Sequence, residues 1–250
     1  ELRLSLVGSE MCIRDSSRYF SLIKGFSSSV NIGLVGDNSF NGMTSPLKGY
    51  RYKLSAEQHF GTDKYTAVLA DFRYYQWLRP ISLAIRGMAY SRFFKPGNVN
   101  SVYPIYIAQM GMVRGYYSPF FNVDIAEKND IALEQMLGSK MLLGNFEVRL
   151  PLVGLKRLSI INSRFLMSDL ALFFDAGVAF DGFDHFTEGE LVMVNNDPNN
   201  LQYRKPALVM SSGIALRFNL MGAIIVEPYY AWPIQKETKG VFGINLMPGY

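Results

Sequence analysis

The chain has a single cysteine, Cys12, and only two histidines, His59 and His185. One thiol excludes an internal disulfide and every paired-cysteine metal motif. Neither histidine has a second His, Cys or paired carboxylate at ligand spacing, so both read as ordinary surface or lumen residues, and no metal or other cofactor is expected. No apolar run approaches the ~18 residues a membrane-spanning helix needs. Charge runs are missing too. The Lys and Arg residues behind the net charge of +4 are scattered and form no basic stripe, which excludes nucleic acid as a partner. No Pro/Ser-rich linker divides the 250 residues, which read as one domain.

What is present is alternation. Apolar residues make up 49% of the chain and aromatics 14%, yet mean hydropathy is only +0.07, because greasy and polar positions are interleaved. Tyr50, Tyr52, Leu54, Ala56 and Phe60 fall on one face of an extended segment, and Arg51, Lys53, Ser55, Glu57 and His59 on the other. The same period of two recurs over Val30–Gly36, Thr66–Tyr75, Ser82–Phe93, Asn145–Leu150, Leu170–Phe180, Leu208–Phe218, Ile224–Trp232 and Phe242–Leu246. Short turns and long loops separate these segments. The reading is all-β: about nine strands in an antiparallel meander.

Several of these strands run to ten residues or more, whereas soluble strands average about five or six and tilted membrane-crossing strands need about 9–11. Aromatics gather near strand ends (Tyr50, Phe60, Tyr74, Trp77, Phe93, Phe180, Tyr230 and Trp232), where a membrane barrel carries its girdles. A soluble β-sandwich with aromatics in its core is the alternative. Strand length and charge-bearing inner faces favour a transmembrane barrel whose outer face meets lipid. Arg51, Lys53, Asp71, Arg73, Arg86, Arg92 and Glu227 then face its lumen.

One segment, Lys95 to Ser139, interrupts the meander. Loops of that length without secondary structure usually carry function or are disordered. This one holds Tyr103, Tyr106, Tyr116, Tyr117, Phe120 and Phe121, and so reads as packed. At its centre lies Val113-Arg114-Gly115-Tyr116. A second long loop, Asp181 to Lys205, is polar.

Val113-Arg114-Gly115-Tyr116 in a long loop precedes Gly144-Asn145-Phe146-Glu147-Val148-Arg149-Leu150-Pro151, and Phe173-Phe174-Asp175-Ala176-Gly177 follows. This combination resembles the C-terminal barrel of the bacterial surface-antigen superfamily, which includes BamA- and TamA-type assembly factors and two-partner secretion transporters. The resemblance spans roughly Val30 to Tyr250. It implies a sixteen-stranded barrel, of which this chain would supply the C-terminal part. It also implies a lumenal loop whose Arg114 meets Asp175 of the F-x-D-x-G strand (Phe173, Asp175, Gly177), with Glu147 as a second acceptor. The period of two independently places Glu147 and Asp175 on the lumenal side of their strands.

The implied activity is insertion, assembly or translocation of client outer-membrane or secreted proteins, with a periplasmic domain upstream of these residues. A passive barrel, serving as porin or membrane anchor, is the second reading. An enzyme is not expected. The chain has no G-x-S-x-G, Walker loop or H-E-x-x-H, and Ser211-Ser212-Gly213 has no partner base. Residues 1–16 resemble a translated sequencing adaptor and are set aside, leaving 17–250 as barrel. The closing Met247-Pro248-Gly249-Tyr250 ends on an aromatic, as an outer-membrane insertion signal does, although Pro-Gly interrupts the alternation.

Overall fold

The computed structural model describes residues 2–9, 27–42, 44–61, 64–94, 104–109, 111–116, 133–155, 159–163, 167–184, 186, 190–193, 201–220, 224–234 and 240–248. Cys12, His185, Tyr103, Tyr117, Phe120, Phe121, Gly249 and Tyr250, all singled out in the sequence, lie outside the described residues.

Ten strands follow one another across a single antiparallel sheet in chain order. They are β1 (Leu2–Ser9), β2 (Ser27–Asp37), β3 (Pro46–Gly61), β4 (Tyr65–Leu78), β5 (Ile81–Phe94), β6 (Lys140–Gly154), β7 (Met167–Phe180), β8 (Val209–Leu220), β9 (Ile224–Pro233) and β10 (Val241–Pro248). β2 to β10 are the nine expected from alternation. The sheet does not close on itself: among the described residues β1 and β10 are its two edges. The backbone of β1 runs against β2 from Leu2↔Leu34 to Ser9↔Ser27. Edge pairing uses main-chain groups that any extended segment supplies, so this pairing carries no information about side-chain pattern.

The strands are long for a physical reason visible on their faces. β3, β4, β5, β6 and β7 run 16, 14, 14, 15 and 14 residues, and each alternates between two environments. One face presents Leu54, Phe72, Ile85, Phe146, Leu172, Phe174, Ile214, Trp232 and Leu246 uncovered. Left in water, such a face would be a single large apolar patch; in a bilayer it is the lipid-facing band. The concave face carries Asp71, Glu147, Asp169, Asp175, Arg217, Glu227 and Asn245, all buried. Charge therefore lies inward and hydrocarbon outward, the inverse of a soluble sandwich.

Small residues let the concave face pack. Gly213 sits opposite Phe173 and Gly243 opposite Tyr229. A Cβ at Gly213 would come 2.5 Å from Phe173 Cζ, and one at Gly243 would come 2.3 Å from the Tyr229 ring. Each aromatic thus lies over its glycine neighbour and covers main chain that a side chain would otherwise shield. Together with Ala171, Ala215 and Ala231, Phe173 and Tyr229 form a compact cluster beneath the loop.

Three expectations are corrected. Phe180 is no girdle ring: it is buried and packs on Phe183 and Phe186, each 5.1 Å away between ring centroids. Trp77 shares the parity of buried Tyr75 and lies on the lumenal side. Neither long loop is irregular throughout. Ile105–Tyr106 pairs with Leu137–Gly138, which follows a 3-10 turn at Leu133–Met136. Glu190–Met193 pairs with Leu201–Arg204 as a two-stranded unit separate from the main sheet.

Candidate functional site

The long loop is anchored at its base before it reaches the lumen. Main-chain bonds from Ile107 N to the Met136 carbonyl (3.1 Å) and from Arg92 N to the Ser139 carbonyl (2.9 Å) tie its two limbs together and to β5. Ile105, Ile107, Ala108, Val113, Tyr116 and Met136 then bury against Met88, Met141, Leu143, Ala179 and Val209 of the wall. Gly177 makes this approach close: a Cβ there would lie 2.9 Å from Ile107 Cδ1 and 3.0 Å from Val113 Cγ2. The final glycine of F-x-D-x-G is therefore a packing requirement of the loop.

The loop tip, Gly111 to Tyr116, is held by five adjacent strands. Arg86 Nη1 on β5 donates to the Gly111 carbonyl at 3.0 Å, and Asn145 Nδ2 on β6 donates to the Met112 carbonyl at 3.2 Å. The Arg114 amide donates to Asp175 Oδ2 on β7 at 3.2 Å, and the Tyr116 hydroxyl donates to the Met210 carbonyl on β8 at 2.8 Å. Arg114 itself reaches Glu227 on β9. Gly115 takes φ +91°, a left-handed value that favours glycine, and a Cβ there would stand 2.8 Å from Ala231 Cβ. The Val-Arg-Gly-Tyr order thus combines a core contact, a cation, a tight turn and an aromatic hydroxyl in four residues.

Arg114 is the centre. Its Nε and Nη2 engage Asp175 Oδ2 and Oδ1 at 2.7 and 2.9 Å, a bidentate fork. Nη2 also donates to Glu147 Oε1 at 2.8 Å, and Nη1 to Glu227 Oε1 at 3.3 Å. The guanidinium carbon lies 3.6 Å from the centroid of the Phe173 ring, which covers its plane. Of the residues named in the sequence, Arg114, Glu147, Phe173 and Asp175 form this cluster, Gly115 turns the chain beside it, and Val113, Tyr116 and Gly177 lie in the apolar contact between loop and wall.

Burial alone would lower the pKa of Arg114, but the carboxylates of Glu147 and Asp175 outweigh it and hold the pKa well above the ordinary arginine value. The cation is permanent.

The cluster is larger than the motifs. Arg217 Nη2 contacts both Glu147 oxygens at 2.8 Å and Arg217 Nε bonds Glu227 Oε2, so a second guanidinium shares both acids with Arg114. Arg149 takes Glu147 Oε2 at 2.7 Å, Asn145 donates to Asp175 Oδ1 at 2.8 Å, and Asn245 donates to Glu227 Oε1 at 2.9 Å. Three arginines face three carboxylates in balance, which is how buried ions avoid an uncompensated charge. Glu227 is among the lumenal charges read from sequence and Arg217 falls within the alternating Leu208–Phe218 segment, but alternation links neither to Arg114. Their signal was an ionisable residue at lumenal parity among aliphatic neighbours. Of the other lumenal charges read from sequence, Asp71 joins Arg73 and Arg86 in a separate trio at 2.8 and 3.0 Å, and Arg51 pairs with Asp37 at 2.7 Å. His59 lies 3.2 Å from Glu57. Among the described residues no group of three or more His, Cys, Asp or Glu is arranged to hold a metal.

An apolar outer face, a balanced ion cluster inside and a loop clamped to it are features of the wall of an outer-membrane-type barrel. The Omp85 superfamily domain matches residues 18–246, and the chain belongs to that superfamily. Membership places it among non-enzymatic barrels. The match begins beyond the segment set aside at the N-terminus. Among solved structures, the chain is similar to the crystal structure of BamA from Haemophilus ducreyi lacking POTRA domains 1–3, with TM-score 0.55 and 18% identity. That alignment covers 88% of this chain and 41% of the BamA chain, so this sequence spans less than half the length of that relative. A search of curated proteins finds no sequence match.

Proposed function

We propose that the intact protein inserts, assembles or translocates other proteins at the bacterial outer membrane, and that this chain forms the C-terminal part of its membrane wall. The observation that carries the reading is the Arg114 clamp, set within an Omp85 domain. A loop fixed across five strands occupies the lumen and braces the wall from inside. A loop fixed across the lumenal face narrows any conduction path there, which supports a braced scaffold over an open pore. Client strands would pair with a wall edge that presents unpaired main-chain groups, while the clamp keeps the wall in shape. The partners under this reading are outer-membrane lipid on the apolar face, client proteins at the edge, and a periplasmic domain of the same protein.

The deciding experiment uses the full-length protein in its own cell. Depletion followed by a census of other outer-membrane barrels and of secreted proteins should show a loss of clients. If their levels hold while only an attached activity is lost, the barrel is an anchor. Single-channel conductance with the loop intact and deleted separates a braced scaffold, closed until the loop is removed, from a porin that is open in both forms.

A further inference from the structure

The segment from Asp37 to Pro46 reads in sequence as a turn, with Asn38, Asn41, Gly42 and Pro46; at its end and at the start of β3, Thr44, Ser45 and Leu47 are at most 4% exposed and Pro46 is fully buried. The Ser45 hydroxyl donates to Asp169 Oδ2 at 2.7 Å. Ser45 precedes β3 and Asp169 lies on β7, with β4, β5 and β6 between them in the sheet. The contact therefore spans the concave face instead of following it. Strand direction alternates, so the loop that leaves β5 after Phe94 enters from one mouth of the wall and this turn enters from the other.

The two inward folds face one cavity. Thr44 and Ser45 line the same cavity, of about 130 Å³, as Gly111, Met112 and Arg114. Arg149 joins them directly. Its Nη2 lies 2.7 Å from Glu147 Oε2, its Nη1 donates to the Pro46 carbonyl at 3.4 Å, and Glu147 accepts Arg114 through its other oxygen.

We propose that the Thr44–Leu47 segment, where the turn enters β3, is a latch for the lumenal loop. Ser45, Asp169 and Arg149 are positioning residues that hold Arg114 in place from the opposite mouth, and releasing the turn loosens the loop. Coupling of this kind needs a shared physical element that both sites bias; here it is the Glu147–Arg149 pair. The proposal rests on Arg114 being the pin of the loop, but not on what the barrel transports.

The test is amide hydrogen exchange on the full-length protein in detergent, read separately over residues 44–47 and 111–116. Ser45→Ala should speed exchange in both segments, by roughly 3- to 10-fold at 111–116. Asp169→Asn, which keeps an oxygen to accept the Ser45 hydroxyl, should leave 111–116 close to wild type. Combining Ser45→Ala with Arg114→Ala should give less than the product of the single effects, because each removes part of one network. Acceleration confined to 44–47, or strictly multiplicative effects, overturns the latch. If Ser45→Ala does not assemble, as judged by heat-modifiable gel mobility, Arg149→Lys takes its place. It keeps a cation for Glu147 but gives up the fork that also reaches Pro46, and the same two outcomes decide. Loss of client transport with no change at 111–116 would leave the proposed function standing and remove only the latch.

Discussion

Replacing Arg114 with alanine should undock the loop and leave the wall folded. Asp175 is wholly buried and takes three bonds from Arg114, counting the backbone amide. Without the guanidinium its remaining side-chain donor among the described residues is Asn145. Glu147 and Glu227 fare better, since Arg217 holds both, Arg149 supports the first and Asn245 the second. The cost therefore falls mainly on Asp175, about 3–5 kcal/mol for a buried pair that loses one partner. That changes the ratio of docked to free loop by roughly a hundred- to several-thousand-fold. The wall has its own means of support, because the ladders joining β6, β7, β8 and β9 do not pass through the loop. Arg114→Lys keeps the charge but cannot fork across Asp175 while also reaching Glu147, so it should fall between wild type and alanine, losing about 1–3 kcal/mol. Protease susceptibility of the loop and heat-modifiable mobility of the barrel are read on the same sample. The expected result is a cleaved loop in a folded barrel. A loop that stays protected in Arg114→Ala, or a barrel that fails to fold in proportion to loop release, refutes the reasoning.

Asp175→Asn should weaken loop docking by about 1–3 kcal/mol, since one oxygen of the fork becomes an amide that cannot accept from Arg114; loop proteolysis in urea checks it. Gly177→Val should push Ile107 and Val113 off the wall at about 1–3 kcal/mol, with the Arg114 ion pairs intact, so the loop loosens while exchange at the ion cluster changes less. On the outer face, Leu172→Arg should cost about 2–4 kcal/mol of folding into lipid vesicles if that position lies near the bilayer midplane. Leu172→Ala should cost far less, and equal effects of the two would place the residue away from lipid.

The nine wall strands were legible because each strand of a barrel meets two different solvents, so its faces diverge in the sequence. The Arg114 pairs with Asp175 and Glu147 were legible through resemblance, and parity supported them. Parity gives the side of a wall but not the neighbours across it. Glu227 is 113 residues from Arg114 and Arg217 is 70 from Glu147; nothing local marks which inward charges converge. Phe180 shows the reverse limit. It has the residue type and position of a girdle ring, and only the following turn, which places Phe183 and Phe186 against it, determines that it is buried.

The turn at Thr44–Leu47 is the sharpest case, because its composition points the wrong way. Asn, Gly, Ser and Pro between two strands supply turn geometry, and turn geometry says nothing about whether the turn faces water or folds inward. Inward folding requires acceptors and donors for the main chain it buries, and those come from residues far along the chain: Asp169 for Ser45, and Arg149 for the Pro46 carbonyl. Asp169 shares the parity of Asp175 on β7, yet its position beside a register shift in the β6–β7 ladder sets it where the turn arrives. A bulge of this kind re-aims a side chain at the rim of a sheet. The irregularity in the ladder and the buried turn are thus two parts of one arrangement, and straightening the bulge by deleting Leu152, the β6 residue left unopposed between Pro151 and Val153, should expose Thr44–Leu47 to exchange even with Ser45 and Asp169 both present.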